Sequence, residues 1–183
     1  MKRVPARLER ATGYPGWAVT GAVSGILLLG VAMVGLYWDV AWHVDYGRDK
    51  VLFTPPHSLI LTALSGLIVV GLGTVVMATA AEVDTGVRMG RWRVPWSALL
   101  LLVFRVGGLV AFVVDDLWHA AYGIDVTLWS PPHLGLLASG SGSAVALWLM
   151  LVEGSHTRPT KPTTLGRGLQ VVTLGSMLIA FST

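Results

Sequence analysis

Cysteine is absent from all 183 residues, which excludes a disulfide framework, a thiolate metal site and a CxxC redox pair. Charge is scarce as well. Asp, Glu, Lys and Arg make up 13% of the chain against 54% hydrophobic residues, a balance that excludes an ordinary soluble domain and marks a membrane protein.

What is present is uncharged apolar sequence in long runs. A helix needs roughly 20 mostly apolar residues to cross about 30 Å of hydrocarbon. Four runs qualify: Trp17 to Trp38, Ser58 to Ala81, Pro95 to Val114 and Leu134 to Val152. A fifth, Gly168 to Thr183, is short, either a marginal span or the first part of a longer one. The expected fold is therefore all-α, a polytopic transmembrane helical bundle. Its expected segments are a basic N-terminus (1–16), a first two-helix repeat (17–81), a loop (82–94), a second two-helix repeat (95–152), a second loop (153–167) and the partial fifth segment (168–183). Glycines inside the spans, such as Gly25, Gly71, Gly108 and Gly142, permit close helix contact.

The cations orient this bundle. Lys2, Arg3, Arg7 and Arg10 precede the first span, Arg88, Arg91 and Arg93 separate the second from the third, and Arg158, Lys161 and Arg167 follow the fourth. Ten of the 13 thus share one side, which the positive-inside rule makes cytoplasmic. The formal charge of +3 follows from these loops and is read as a topology signal rather than a nucleic-acid surface. The expected location is a bacterial or archaeal cytoplasmic membrane with the N-terminus inside. The first run exceeds a signal-peptide h-region and leads straight into a polar motif, so it is read as a retained span.

That polar motif occurs twice, 76 positions apart. The first copy runs Asp39, Trp42, His43, Tyr46, Gly47, Asp49, Leu52, Pro55, Pro56, His57, and the second Asp115, Trp118, His119, Tyr122, Gly123, Asp125, Leu128, Pro131, Pro132, His133. Ten of 19 positions are identical, and four of the five histidines lie inside the copies. By the orientation above, both face the extracytoplasmic side. Two spans per repeat give the halves one orientation and a pseudo-twofold axis along the membrane normal.

The spacing carries the chemistry. Asp39 and His43, like Asp115 and His119, are four apart and share one helical face if the helix continues, a placement that suits two ligands on one ion. Gly47 and Gly123 are placed to end each helix in a left-handed cap. Thr54-Pro55-Pro56 and Ser130-Pro131-Pro132 read as helix starts, a hydroxyl N-cap followed by first-turn proline, which sets His57 and His133 in the first turn of the next span. The metal ligands expected are Asp39, His43 and His57, and Asp115, His119 and His133. A carboxylate near a helix C-terminus is disfavoured by the macrodipole and an N-terminal histidine is kept neutral, both of which favour a cation. Asp49 and Asp125 fit a turn or a role behind the ligands. Trp38, Trp42, Tyr46, Trp118, Tyr122 and Trp129 fit an aromatic belt at a membrane boundary, and His156 falls in a solvated loop.

The run Asp39-x-x-Trp42-His43, then Asp49, then Phe53-Thr54-Pro55-Pro56-His57, resembles the metal-site segment of the C subunit of particulate methane and ammonia monooxygenases, the copper membrane monooxygenases. The resemblance covers about 20 residues per copy; the second copy, with Asp115, His119 and His133, fits it less fully. It implies copper at Asp39, His43 and His57, an oxidoreductase activity on a small apolar substrate, and partner subunits that supply electrons. The gap between the histidines, the tandem duplication and the short chain depart from that family. The ligand set itself admits copper, iron or zinc, as one dinuclear or two mononuclear sites. Two further classes stay open: a non-catalytic copper- or zinc-binding or delivery protein, and a structural membrane subunit, alone, with other subunits or as a homo-oligomer. Arg105, mid-span where its repeat counterpart is Leu29, calls for a backbone carbonyl, a water or an acid of another chain as its partner.

Overall fold

The computed structural model describes residues 3–47, 51–123, 129–157 and 161–182. Long runs of Leu, Ala, Val and Gly, punctuated by proline only at their starts, fold into helices. In chain order these elements are α1 (Arg3–Thr12), α2 (Gly16–Tyr46), α3 (Pro55–Ala80), β1 (Val87–Met89), β2 (Trp92–Val94), α4 (Trp96–Tyr122), α5 (Pro131–Thr157) and α6 (Thr164–Ser182). The fold is an all-α bundle. Helices α2 to α5 are each long and apolar enough to cross a membrane. Their outward faces carry Leu27, Val69, Val103 and Val110, each well over half exposed, a surface that belongs in lipid.

Four helices close a ring. α2 packs on α3 and α5, and α4 packs on α5 and α3, while α1 packs on α2 and α6 on α5. Trp17, Leu67, Leu101, Leu147 and Met150 fill the centre. There Thr74 and Met150, 76 positions apart, meet with Oγ1 and Sδ at 3.9 Å. Close approach between α4 and α5 depends on Gly108 and Gly142, where an added methyl would strike Ser139 Oγ and the Phe104 ring respectively.

Segment 82–94, expected as a plain loop, contains the antiparallel pair β1–β2, with Val87 opposite Val94, Arg88 opposite Arg93 and Met89 opposite Trp92. Its sequence alternates apolar and basic residues on both sides of Gly90-Arg91, the period of a hairpin.

One acid organises the end of the bundle away from the duplicated motifs. Glu153, on α5, accepts from the backbone N–H groups of Trp96 and Ser97 (both 2.9 Å), from Ser97 Oγ (2.5 Å) and from Thr85 Oγ1 (2.7 Å). A carboxylate thus satisfies the first amides of α4 and faces the positive end of its dipole. Glu153→Ala strands these donors and is expected to lower the unfolding free energy by about 3 kcal/mol, read by SDS titration in mixed micelles. An unchanged midpoint would remove Glu153 from the packing scheme.

Arg105 is the other polar feature of the interior. It is 1% exposed, and its Nη2 donates to the Ser139 carbonyl and to Ser139 Oγ, the latter at 2.7 Å. Ser139 Oγ in turn donates to the Phe104 carbonyl at 2.7 Å. Of the partners expected for this arginine, the structure supplies the backbone carbonyl and adds a hydroxyl.

Candidate metal centre

Helix α2 does not stop at the apolar run but continues through Asp39 and His43 to Tyr46. At about 1.5 Å per residue, Asp39 lies about 35 Å along from Gly16, near the end of the hydrocarbon thickness. α4 carries Asp115 and His119 in the same way and ends at Tyr122. Because Asp39 sits two turns before the helix end, the macrodipole penalty expected there is small, since that field fades within the last turn. The case for a cation rests instead on local geometry.

Gly47 ends α2 at φ 72°, ψ −157°, and Gly123 ends α4 at φ 89°, ψ −174°. Both have the positive φ of glycine, but the extended ψ replaces the left-handed cap expected from sequence. At the first of them the Gly47 carbonyl accepts from His43 Nδ1 at 3.0 Å while its N–H donates back to the His43 carbonyl. Thr54 and the start of α3 occupy the expected places, yet the hydroxyl makes no cap bond. Pro55 and Pro56 lack N–H groups and the Ser58 N–H is taken by the Thr54 carbonyl at 2.8 Å, so few donors remain. Thr54 Oγ1 and its counterpart Ser130 Oγ are both buried without a hydrogen-bond partner.

The structure brings each sequence-defined trio together. In the first, His57 Nε2 lies 3.1 Å and His43 Nε2 3.6 Å from Asp39 Oδ1. In the second, His133 Nε2 lies 3.2 Å from Asp115 Oδ1, and His119 turns Nδ1 toward Asp115 Oδ2 at 3.8 Å. Within each trio one ligand atom per residue falls inside 4.8 Å of the others, and the trios are separate, one in each helical hairpin. A tetrahedral ion with bonds of about 2.1 Å needs donors about 3.4 Å apart, so the observed spacing demands little rearrangement.

Tautomers decide what those distances mean. His57 Nδ1 lies 2.9 Å from the Leu52 carbonyl, as His43 Nδ1 lies 3.0 Å from that of Gly47. A carbonyl only accepts, so each Nδ1 carries a proton, and a ring with that one proton presents its Nε2 lone pair to Asp39. Asp39 Oδ1 is buried and without a hydrogen-bond donor, as is Asp115 Oδ1. Converging acceptors repel, and a single added proton would bridge only one of the two imidazoles to the acid; a divalent cation satisfies all three. Ligating histidines characteristically donate their second nitrogen to a carbonyl in this way, which fixes ring and tautomer. Sequence reasoning missed both carbonyl anchors.

The surroundings shield the trios without sealing them. Their six side chains are 15–23% exposed. The Phe112 ring meets His57 edge-on at 5.3 Å, bringing α4 against the first site. Tilted ring pairs Trp42–Tyr46 and Trp118–Tyr122 (4.8 and 4.5 Å between centroids) repeat beside the two trios, and Tyr46, Tyr122 and Trp129 are more than 70% exposed, as boundary aromatics are. Asp45, Asp116 and His156 are exposed and take no part. Asp49 and Asp125 lie outside the described residues. No protein-family model, characterised protein or solved structure matches the chain.

Proposed function

We propose that this integral membrane protein is a metalloprotein in which Asp39, His43 and His57, and Asp115, His119 and His133, each hold one copper ion, and that the centres serve the oxidation of a small apolar substrate arriving through the bilayer. The observation that carries the reading is the convergence of two carbonyl-anchored imidazoles on a carboxylate oxygen that has no donor. The ligand set suits copper, iron and zinc alike; the affinity order of divalent ions favours copper, and so does the resemblance of the first copy to the copper membrane monooxygenases. The copper, when bound, supplies one-electron chemistry and a coordination position left open by three protein ligands. The chain's own part is to keep the rings neutral and aimed, to place a carboxylate opposite them, and to limit access to something small. Electrons come from a partner subunit in this scheme.

The meeting of Thr74 with Met150 supports a duplicated architecture, since residues find their own counterparts only near a twofold axis. The ten cations gathered on one side support a cytoplasmic N-terminus and extracytoplasmic centres. A second reading, storage or delivery of copper or zinc without turnover, is favoured by the place of the trios at helix ends, where an ion can be handed over from the aqueous side.

Copper-loaded, detergent-purified protein is expected to give a tetragonal Cu(II) electron paramagnetic resonance spectrum with splitting from two imidazole nitrogens per ion, and His57→Ala to remove one nitrogen at the first site. A spectrum without nitrogen coupling would reject the ligand assignment. Oxygen consumption with an artificial reductant and a small apolar substrate separates turnover from storage.

A further inference from the structure

The β1–β2 hairpin holds three of the 13 cations in an arrangement that folding alone does not explain. Arg88 and Arg93 stand opposite each other. The Arg93 N–H leaves the ladder for Thr79 Oγ1 at 3.0 Å, which makes theirs a non-hydrogen-bonded pair, the kind whose side chains lie closest. Like charges placed so are destabilising. Compensation is slight: Arg93 Nη1 donates to the Val83 carbonyl at a long 3.4 Å and reaches Asp84 at 3.8 Å, but that carboxylate is fully exposed and the pair is correspondingly weak.

Arg88, Arg93 and Asp84, with Val83, Thr85, Gly86 and Val87, line a cavity of about 160 Å³. Its lining carries a net +1, from two arginines and one aspartate. On the other face of the hairpin Met89 and Trp92 are 62% and 39% exposed, and Trp96, at the start of α4, is 60% exposed. Arg91 lies over the Trp92 ring, 5.1 Å from its centroid. All this sits between the last turn of α3 and the first of α4, where two spans leave the bilayer and hydrocarbon gives way to phosphate.

We propose that the hairpin is a binding site for the headgroup of an anionic phospholipid. Arg88 and Arg93 take the phosphate oxygens, a match for the planar guanidinium fork, and Arg91 adds a third positive charge at the rim. Met89, Trp92 and Trp96 enter the acyl boundary, the depth that tryptophan prefers. The bound phosphate relieves the Arg88–Arg93 repulsion, so lipid stabilises the fold. A zwitterionic headgroup carries its own cation and does this poorly.

The test uses the full chain in detergent, with phosphatidylglycerol, phosphatidylcholine or inorganic phosphate added, read by thermal unfolding and native mass spectrometry. Phosphatidylglycerol is expected to raise the unfolding temperature by about 5 °C and to remain bound in the gas phase, while the other two do neither. The triple variant R88Q/R91Q/R93Q is expected to bind phosphatidylglycerol about 100-fold more weakly, and Arg88→Gln alone about 5-fold. Arg88 is exposed and, among the described residues, forms neither ladder bond nor ion pair, so the single variant reads the site even where the triple one fails to fold. Equal stabilisation by phosphatidylcholine or by inorganic phosphate, or undiminished phosphatidylglycerol binding by Arg88→Gln, would overturn the proposal.

Discussion

Purified protein carrying His43→Ala and His57→Ala is expected to bind one divalent ion per chain where the unaltered protein binds two, and the further replacement of His119 and His133 is expected to abolish binding. The stoichiometry follows from the separation of the trios: each gathers its three donor atoms within its own hairpin, so loss of one leaves the other's ligands in place. The size of the effect follows from ligand count. Structural four-ligand zinc sites bind with about 10–16 kcal/mol, or about 3 kcal/mol per ligand, so losing one imidazole costs about 100-fold in affinity and losing two takes a site below detection at micromolar metal. Helical content, followed by circular dichroism, is expected to stay unchanged, because the four rings sit at helix ends and are not part of the buried apolar core. Complete loss of metal in the double variant would show that the trios act as one dinuclear centre. Retention of both ions would show that the ligands lie elsewhere.

The trios were legible because their geometry is set by short-range rules. Four-residue spacing holds Asp39 and His43 on one helical face, and Pro55-Pro56 can only begin a helix, so His57 had to enter at the matching depth. The four spans were legible from length and polarity alone. What escaped depends on contacts between segments far apart in sequence. Glu153 reads as the first residue of a loop, and only the packing of α5 beside α4 makes it a cap. The hydroxyl caps at Thr54 and Ser130 were expected from residue type, but two successive prolines remove the first two amides of the helix and leave only that of the third residue as a capping donor. The left-handed caps at Gly47 and Gly123 failed in ψ, and at Gly47 that same ψ accompanies the carbonyl bond to His43. The hairpin carried a visible signal, the alternation of Val87-Arg88-Met89 and Trp92-Arg93-Val94 about a glycine turn, masked by its brevity.

Arg105 and Ser139 offer the second large effect, because the positions at the 76-residue offset of the duplicated motif hold apolar replacements. Their counterparts 76 positions earlier are Leu29 and Ala63. Arg105→Leu is expected to stabilise the bundle by about 1–3 kcal/mol, since an arginine at mid-membrane costs about 2.5–3.5 kcal/mol on insertion scales and leucine is slightly favourable. Removing the guanidinium strands nothing, for Ser139 Oγ still donates to the Phe104 carbonyl, and the Ser139 carbonyl still accepts from Ser143 Oγ at 2.8 Å. Ser139→Ala alone acts in the opposite direction. It leaves a buried cation with one fewer acceptor, on a side chain whose Nε already has none, at a cost of about 1–3 kcal/mol. In the Arg105→Leu background the same change is expected to cost less than about 1 kcal/mol, so the two positions couple through the guanidinium. Unfolding by SDS titration of the four proteins measures that coupling, and metal content measured alongside is expected to remain at two ions per chain. Should Arg105→Leu unfold the bundle, the arginine would be holding α4 to α5 with more than its two bonds to Ser139; should it instead empty a metal site while leaving the fold intact, its charge would belong to the chemistry of the centres.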